Sequence, residues 1–331
     1  MSDASDRASP FPTPRSAERS RRPIVPKSTP AASSFPRPSA NLARIGVVGL
    51  GHMGSPMAGH LASAFPGRVA VTARRRRSAE AAVEAGAEWI DSPRELAARS
   101  DVIVSVLPDL PELRSMLDEL LAGAEGHRLV LVIASTSSPT EVRELARELD
   151  EGPHDAVVLD APVSGGEDGA RAGNLSIMLG GDPDDARLVA ELLEPCGRAV
   201  RLGPVGAGQV AKACNQLIVS ATVTAVSEAA ILADRSGLDV SALFEVFAGG
   251  YAGSRILATR GERIATEDYS PSGAAKYLAK DLRFATDVAT DTGSSLVLLP
   301  HLRQTFADLE DRGLGDLDLC VIRRYLELGD S

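Results

Sequence analysis

The sequence predicts an α/β chain, with a parallel-sheet domain followed by an all-helical domain and one long helix between them. Three observations carry this prediction. Short apolar runs alternate with helix-patterned stretches from Arg44 to Leu202. A glycine-rich turn, Gly49-Leu50-Gly51-His52-Met53-Gly54, closes the first of those runs. From Gly203 the alternation stops and only helical spacing remains.

Each element has its own warrant. Arg44–Gly49 is a short β-branched run, the pattern of a buried strand. Ser55–Ala64 has helical spacing, Arg68–Ala73 reads as a second strand, and Ser78–Ala85 as a helix. A weak strand at Glu88–Ile90 precedes a short helix opened by Ser92-Pro93, serine as cap and proline in the first turn. Strands at Val102–Leu107 and Leu129–Ala134 flank a helix at Pro111–Leu121, and a helix at Pro139–Asp150 follows. Ala156–Leu159 is a strand running into the loop Asp160–Gly166. Leu175–Leu179, a helix at Pro183–Glu194 and a strand at Ala199–Leu202 complete this half. Strand and helix joined by short loops imply a parallel sheet covered on both faces. Gly208–Asp234 then reads as one long helix stopped by Gly237. Ser241–Phe247, Ile256–Ile264, Gly273–Thr292, Leu296–Leu309 and Leu317–Leu328 are the remaining helices. The predicted division is a tail at 1–40, a sheet domain at 41–202 and a helical domain at 203–331.

Composition narrows the function. The 331 residues carry a net charge of −10, but residues 1–40 hold seven basic residues against three acids. That segment also has eight prolines and nine serines, too little apolar surface to offset ordering, so it is expected to be disordered. The acidic remainder argues against a nucleic-acid partner. The longest apolar stretches are short (Leu129–Ala134) or broken by hydroxyls (Leu217–Val226), so no membrane span is expected. The N-terminus lacks the apolar stretch of a secretory signal. Cys196, Cys214 and Cys320 have no metal-site or disulfide spacing, so no metal and a reducing cytoplasm are expected.

The glycine motif has the spacing G-x-G-x-x-G between a strand and a helix, which is the context of a Rossmann-type dinucleotide site. Gly49 permits the tight turn, Gly51 lets the backbone approach a pyrophosphate, and Gly54 lets helix and strand pack closely. The helix N-terminus offers free N–H groups to phosphate. An NAD site wants an acid about 20 residues on. Between Ser55 and Ala79 there is none, and the second strand ends in Arg74-Arg75-Arg76-Arg77. Guanidinium groups pair with phosphate, so NADP is expected over NAD. Leu107-Pro108 and the Ser135-Thr136 segment lie at predicted strand ends, where the nicotinamide side of such a site is built. Asp160-Ala-Pro-Val-Ser164-Gly165-Gly166 offers a hydroxyl and unshielded backbone N–H groups to a carboxylate. In Gly206–Gln216, Lys212 sits one turn into the long helix with Asn215 and Gln216 at i+3 and i+4. An apolar setting and a nearby cationic ring would lower its pKa toward general acid/base use, although a snorkelling surface lysine fits the same spacing.

These motifs, followed in order by Lys280-Asp281-Leu282, resemble the β-hydroxyacid dehydrogenases, the family of 3-hydroxyisobutyrate dehydrogenase, tartronate semialdehyde reductase and the glyoxylate/succinic semialdehyde reductases. The resemblance runs from Arg44 to the C-terminus. It implies Lys212 as the catalytic acid/base and Ser164, Gly165 and Gly166 as the substrate-carboxylate loop. It also implies Asn215, Gln216 and Asp281 at the substrate. Gly49 to Gly54 (with Leu50, His52 and Met53), Arg74, Arg75, Leu107, Pro108, Thr136 and Lys280 would serve the cofactor. A small carboxylate substrate and a homodimer or homotetramer built on the long helix are implied as well.

The sequence departs from the family pattern at three places. Ile133 stands where an Asp is usual, Gly273 where many members carry a pocket Phe, and Gly173-Asn174-Leu175 where Gly-Thr-Leu is common. Gly273, followed by Ala274 and Ala275, implies a roomier or differently shaped pocket. Two other readings stay open: an imine reductase, and a non-enzymatic dinucleotide-binding protein. Both kinds of relative tend to lose the lysine that stands here as Lys212.

Overall fold

The computed structural model describes residues 36–329. Its first half strings β1 (Ile45–Val48), α1 (Gly54–Ala64), β2 (Val69–Thr72), α2 (Glu80–Glu84), β3 (Glu88–Trp89) and α3 (Pro93–Ala98). Then follow β4 (Val102–Ser105), α4 (Leu110–Gly123), β5 (Leu129–Ile133), α5 (Pro139–Asp150) and β6 (Ala156–Asp160). Next come β7 (Val163–Ser164), α6 (Gly166–Arg171), β8 (Leu175–Gly180), α7 (Pro183–Leu193) and β9 (Gly197–Gly203). The second half is helical: α8 (Ala207–Arg235), α9 (Val240–Ala248), α10 (Arg255–Ala265), α11 (Ala275–Thr292), α12 (Leu298–Asp311) and α13 (Ile322–Leu328). The expected architecture is the one observed, a Rossmann-type α/β half followed by helices.

The sheet runs β3-β2-β1-β4-β5-β6-β8-β7, with β9 beside β8. Its β3 to β6 part is parallel. The strands β1, β4 and β5 are buried along their whole length, which suits helices on both faces. The far edge departs from the all-parallel expectation: β8 pairs antiparallel with β6 and with β7. The connection from β7 to β8 holds only the short α6, too little chain for the crossover that a parallel return needs. β7 lies within the expected loop Asp160–Gly166, and no element was expected over α6. The expected helix at Ser78–Ala85 is a 3₁₀ turn (Arg76–Ala79) running into α2. The helix expected from Gly273 starts at Ala275, because Gly273 N–H is held by Asp318 Oδ2 at 3.1 Å.

Two apolar clusters lie on the sheet and a third fills the helical half. The long helix α8 joins them, packing on β8 at its start and on α10, α11 and α13 beyond. Among the described residues it is the one helix long and apolar enough to cross a membrane. Its buried face nevertheless carries Gln209, Lys212, Gln216, Ser220 and Ser227, which marks it as a core helix with polar duties.

The expectation of a disordered tail lies, for residues 1–35, outside the described residues. Residues 36–40 differ from it. Arg37 pairs with Asp182, Asp184 and the buried Asp185 at the N-terminus of α7, so the chain is anchored before β1 begins. Acids gather in that first turn because they face its free N–H groups, and they offer Arg37 a ready site.

Candidate active site

The parallel strands bring the ends of β1, β4, β5 and β6 to one edge, where ligands bind in open α/β sheets. Gly49 follows β1 with φ +91°, and a Cβ there would strike the Val106 backbone at 2.5 Å. A Cβ on Gly54 would strike the Gly49 carbonyl. The first and third glycines therefore close the turn against its neighbours. Gly51 has nothing within 4 Å of an added Cβ, which leaves its backbone open to a ligand. Met53, at the N-cap of α1, gives no side-chain acceptor; Pro56 has no N–H and Ser55 N donates to the Gly51 carbonyl at 3.0 Å, so among the described residues Gly54 N is the first-turn donor left for an anion. These residues fit a dinucleotide pyrophosphate. Leu50 is buried and contributes its backbone, whereas His52 is exposed, with Nδ1 3.4 Å from Glu167. Arg74 to Arg77 are all exposed. None has a carboxylate partner among the described residues, and Arg76 lies over the Trp89 ring at 5.8 Å.

Facing this edge, α8 and α11 supply the second half of the site. Lys212 is only 8% exposed, and its Nζ has no hydrogen-bond partner among the described residues. Burial pushes it below the ordinary lysine value; Asp281 opposes that shift and Lys280 adds to it. Asp281 is buried too, and burial raises its carboxyl against the pull of Lys212 and Lys280. A hydrogen-bonded chain fixes the neighbours. Ser164 Oγ donates to Asn215 Oδ1 at 3.4 Å, Asn215 Nδ2 donates to Gln216 Oε1 at 2.8 Å, and Gln216 Nε2 donates to Asp281 Oδ2 at 2.7 Å. Residues far apart in sequence, Ser164, Asn215, Gln216 and Asp281, thus form one polar line past Lys212.

Gly165 and Gly166 are exposed with φ +141° and +65°, conformations that favour glycine. Nothing lies within 4 Å of a Cβ on Gly166, so the backbone after Ser164 is accessible. Lys280 reaches across to the sheet half. Its Nζ donates to the carbonyls of Pro108 and Thr136, both at 3.0 Å, and lies 3.7 Å from Asp109. Lys280 therefore ties together the two strand-end segments expected at the nicotinamide, Leu107-Pro108 and Thr136. Ile133 is fully buried in β5. A Cβ on Gly273 would make ordinary contact with Leu319 and Asp318, at 3.5 and 3.9 Å.

Sequence reasoning overlooked two residues. Asp160, fully buried, accepts from Gly206 N and Gln209 N, both at 2.7 Å. Gln209, 1% exposed, accepts from Ser137 N at 3.0 Å and donates to the Ser135 carbonyl at 2.8 Å. Both stand inside motifs read for their neighbours. The available signal was a carboxylate ending a strand, with a carboxamide in a helix first turn whose N-cap is glycine.

Comparison with known proteins places the chain in a family. Residues 44–206 match the NAD binding domain of 6-phosphogluconate dehydrogenase, and residues 206–326 match the NAD-binding region of NADP-dependent 3-hydroxyisobutyrate dehydrogenase. The chain is 35% identical to 2-hydroxy-3-oxopropionate reductase of Escherichia coli K12, over 86% of this chain and 97% of that one. It superposes on Mycobacterium tuberculosis 3-hydroxyisobutyrate dehydrogenase, solved with L-serine, with a TM-score of 0.74 and 31% identity, covering 86% and 99% of the two chains. It also superposes on Psf3, solved with NADP+ and 2-OPP, with a TM-score of 0.75 and 25% identity, covering 85% and 99%.

Proposed function

The chain belongs to the β-hydroxyacid dehydrogenases, oxidoreductases acting on CH–OH with a nicotinamide dinucleotide, and from that premise we propose an NADP-dependent enzyme interconverting a small β-hydroxyacid and its semialdehyde. One observation carries the chemistry: a buried lysine with no hydrogen-bond partner among the described residues, beside the buried Asp281 and within a turn of Asn215, whose carboxamide meets Ser164.

NADPH would supply the hydride. Gly49, Gly51 and the α1 N-terminus would hold the pyrophosphate, and Arg74 and Arg75 the 2′-phosphate. Ser164 Oγ and the backbone N–H groups of Gly165 and Gly166 would bind the substrate carboxylate. Asn215, held by Gln216 and Asp281, would orient the substrate's polar end. Lys212 Nζ, in its charged form, gives a proton to the carbonyl oxygen as that oxygen gains charge. In the reverse direction the neutral amine takes the hydroxyl proton. A pKa lowered by burial favours both directions, since it makes the charged lysine a better proton donor and the neutral amine easier to reach. Lys212 also supports carbonyl chemistry over the imine-reductase and non-enzymatic readings. Lys280 holds the loops beside the cofactor through Pro108 and Thr136.

The same reading includes a homo-oligomer built on α8 and, with three free thiols, a reducing cytoplasm. The test is an NADPH-oxidation screen over tartronate semialdehyde, methylmalonate semialdehyde, glyoxylate, succinic semialdehyde and a cyclic imine. Turnover of a β-semialdehyde supports the proposal; turnover of the imine alone overturns it.

A further inference from the structure

We infer that Gln209 is a positioning residue that sets the nicotinamide-side segment Ser135–Ser137 at a fixed offset from Lys212. This rests on the functional reading above. The start of α8 lacks the usual cap: its N-cap is Gly206, at φ +87°, which has no side chain to accept from the first turn. A side chain there would be strained at that φ, and its Cβ would lie 2.7 Å from Arg143 Nε, which would have to shift. The carboxylate of Asp160, at the end of β6, takes over by accepting from Gly206 N and Gln209 N. The backbone of Gln209 is thereby fixed to β6, and its side chain is free to serve another segment.

That segment follows β5. The carboxamide accepts from Ser137 N and donates to the Ser135 carbonyl, as a neighbouring strand's peptide group would. Both partners flank Thr136, whose own carbonyl accepts from Lys280. Lys212 lies three residues beyond Gln209, on the same face of the helix. One helical turn therefore separates the group that fixes the Thr136 backbone from the group assigned to proton transfer. Gln209 is buried and both ends of its carboxamide are used. A carboxylate or an apolar side chain would leave one or both backbone groups unpaired.

Amide exchange tests this in cofactor-free, full-length protein, with turnover measured alongside. In the wild type the Ser137 amide should exchange as slowly as the core amides of β5, although it lies outside the strand. Gln209→Met, similar in length but without hydrogen bonds, should speed Ser137 exchange by roughly 10-fold or more. Gln209→Glu keeps the acceptor and should retain most of the Ser137 protection. With an active substrate, Gln209→Met should lower kcat and raise the kinetic isotope effect with 4-deuterated NADPH, while NADPH still binds one per chain. A merely structural role would instead lower the NADPH stoichiometry and leave the isotope effect unchanged. Fast Ser137 exchange in the wild type overturns the inference, as does a Gln209→Met protein with wild-type exchange and isotope effect. If no β-semialdehyde is turned over, the functional reading fails, and the exchange arms still judge the brace.

Discussion

At the scale of the residue, Lys212 combines burial, an Nζ with no hydrogen-bond partner among the described residues and a carboxylate neighbour. Lys212→Ala should lower kcat by roughly 10²- to 10⁴-fold, with NADPH affinity retained; near-wild-type turnover would refute its role. The direction of its shift predicts a pH profile. In the proposed mechanism reduction uses the charged lysine, so kcat/KM for reduction should fall as pH rises through a pKa below the usual lysine range. Oxidation needs the neutral amine and should rise over the same interval. The cofactor choice also rests on single residues. Arg74 is exposed and has no carboxylate partner among the described residues, and the sequence holds no acid between Ser55 and Ala79. Losing one charge-assisted phosphate contact is worth about 1.5–3 kcal/mol. Arg74→Ala should therefore raise KM for NADPH roughly tenfold or more and leave KM for NADH nearly unchanged. Equal effects on both cofactors would rule out a 2′-phosphate contact.

At the scale of the element, the start of α8 depends on a side chain contributed by a strand. The carboxyl of Asp160 is pushed up to about 6, chiefly by burial, with the Gly206 and Gln209 amides and the Arg143 charge pulling the other way. The folded state therefore holds that proton more tightly than the unfolded chain, where a carboxyl titrates near 3.9. Stability from this linkage is fully present below the unfolded value and is lost as pH rises through about 6. The non-titrating Asp160→Asn should thus fall further behind the wild type as pH drops from 7 to 4. The gap should widen by up to about 3 kcal/mol, read from denaturant melts at each pH; a constant gap would show that Asp160 does not bind its proton on folding. What was legible in the sequence follows from the same physics. Elements with strong periodicity or caps, such as β5, α5 and the long α8, were readable because their signals are local. The short β7 and α6 were not, since two residues establish no alternation and Gly165-Gly166 looks like any turn. The polar line from Ser164 to Asp281 was readable only as separate motifs. Asp160 and Gln209 were passed over because their partners lie across the fold and leave no mark in spacing.

At the scale of the whole molecule, the exposed face of α8 is the feature that the single chain leaves unfinished. Only 33% of its most apolar window is buried, although the helix spans 29 residues. Ile218 and Leu232 are 66% and 71% exposed, with Cys214 and Ala225 exposed on the same helix. Nearby in sequence to the last helices, Val297 and Leu298 are exposed as well, at 82% and 57%. Single exposed apolar residues are ordinary on a protein surface; a row of them along one helix is where the proposed homo-oligomer would be built. A second copy of the chain suits it, because a two-fold interface buries the same patch on both partners. Ile218→Glu combined with Leu232→Glu would place charges within that patch without touching the buried side of the helix. The wild type should sediment as a dimer or tetramer at micromolar concentration and the double variant as a monomer with unchanged amide exchange around Lys212. A wild type that sediments as a monomer would show that this face has another purpose.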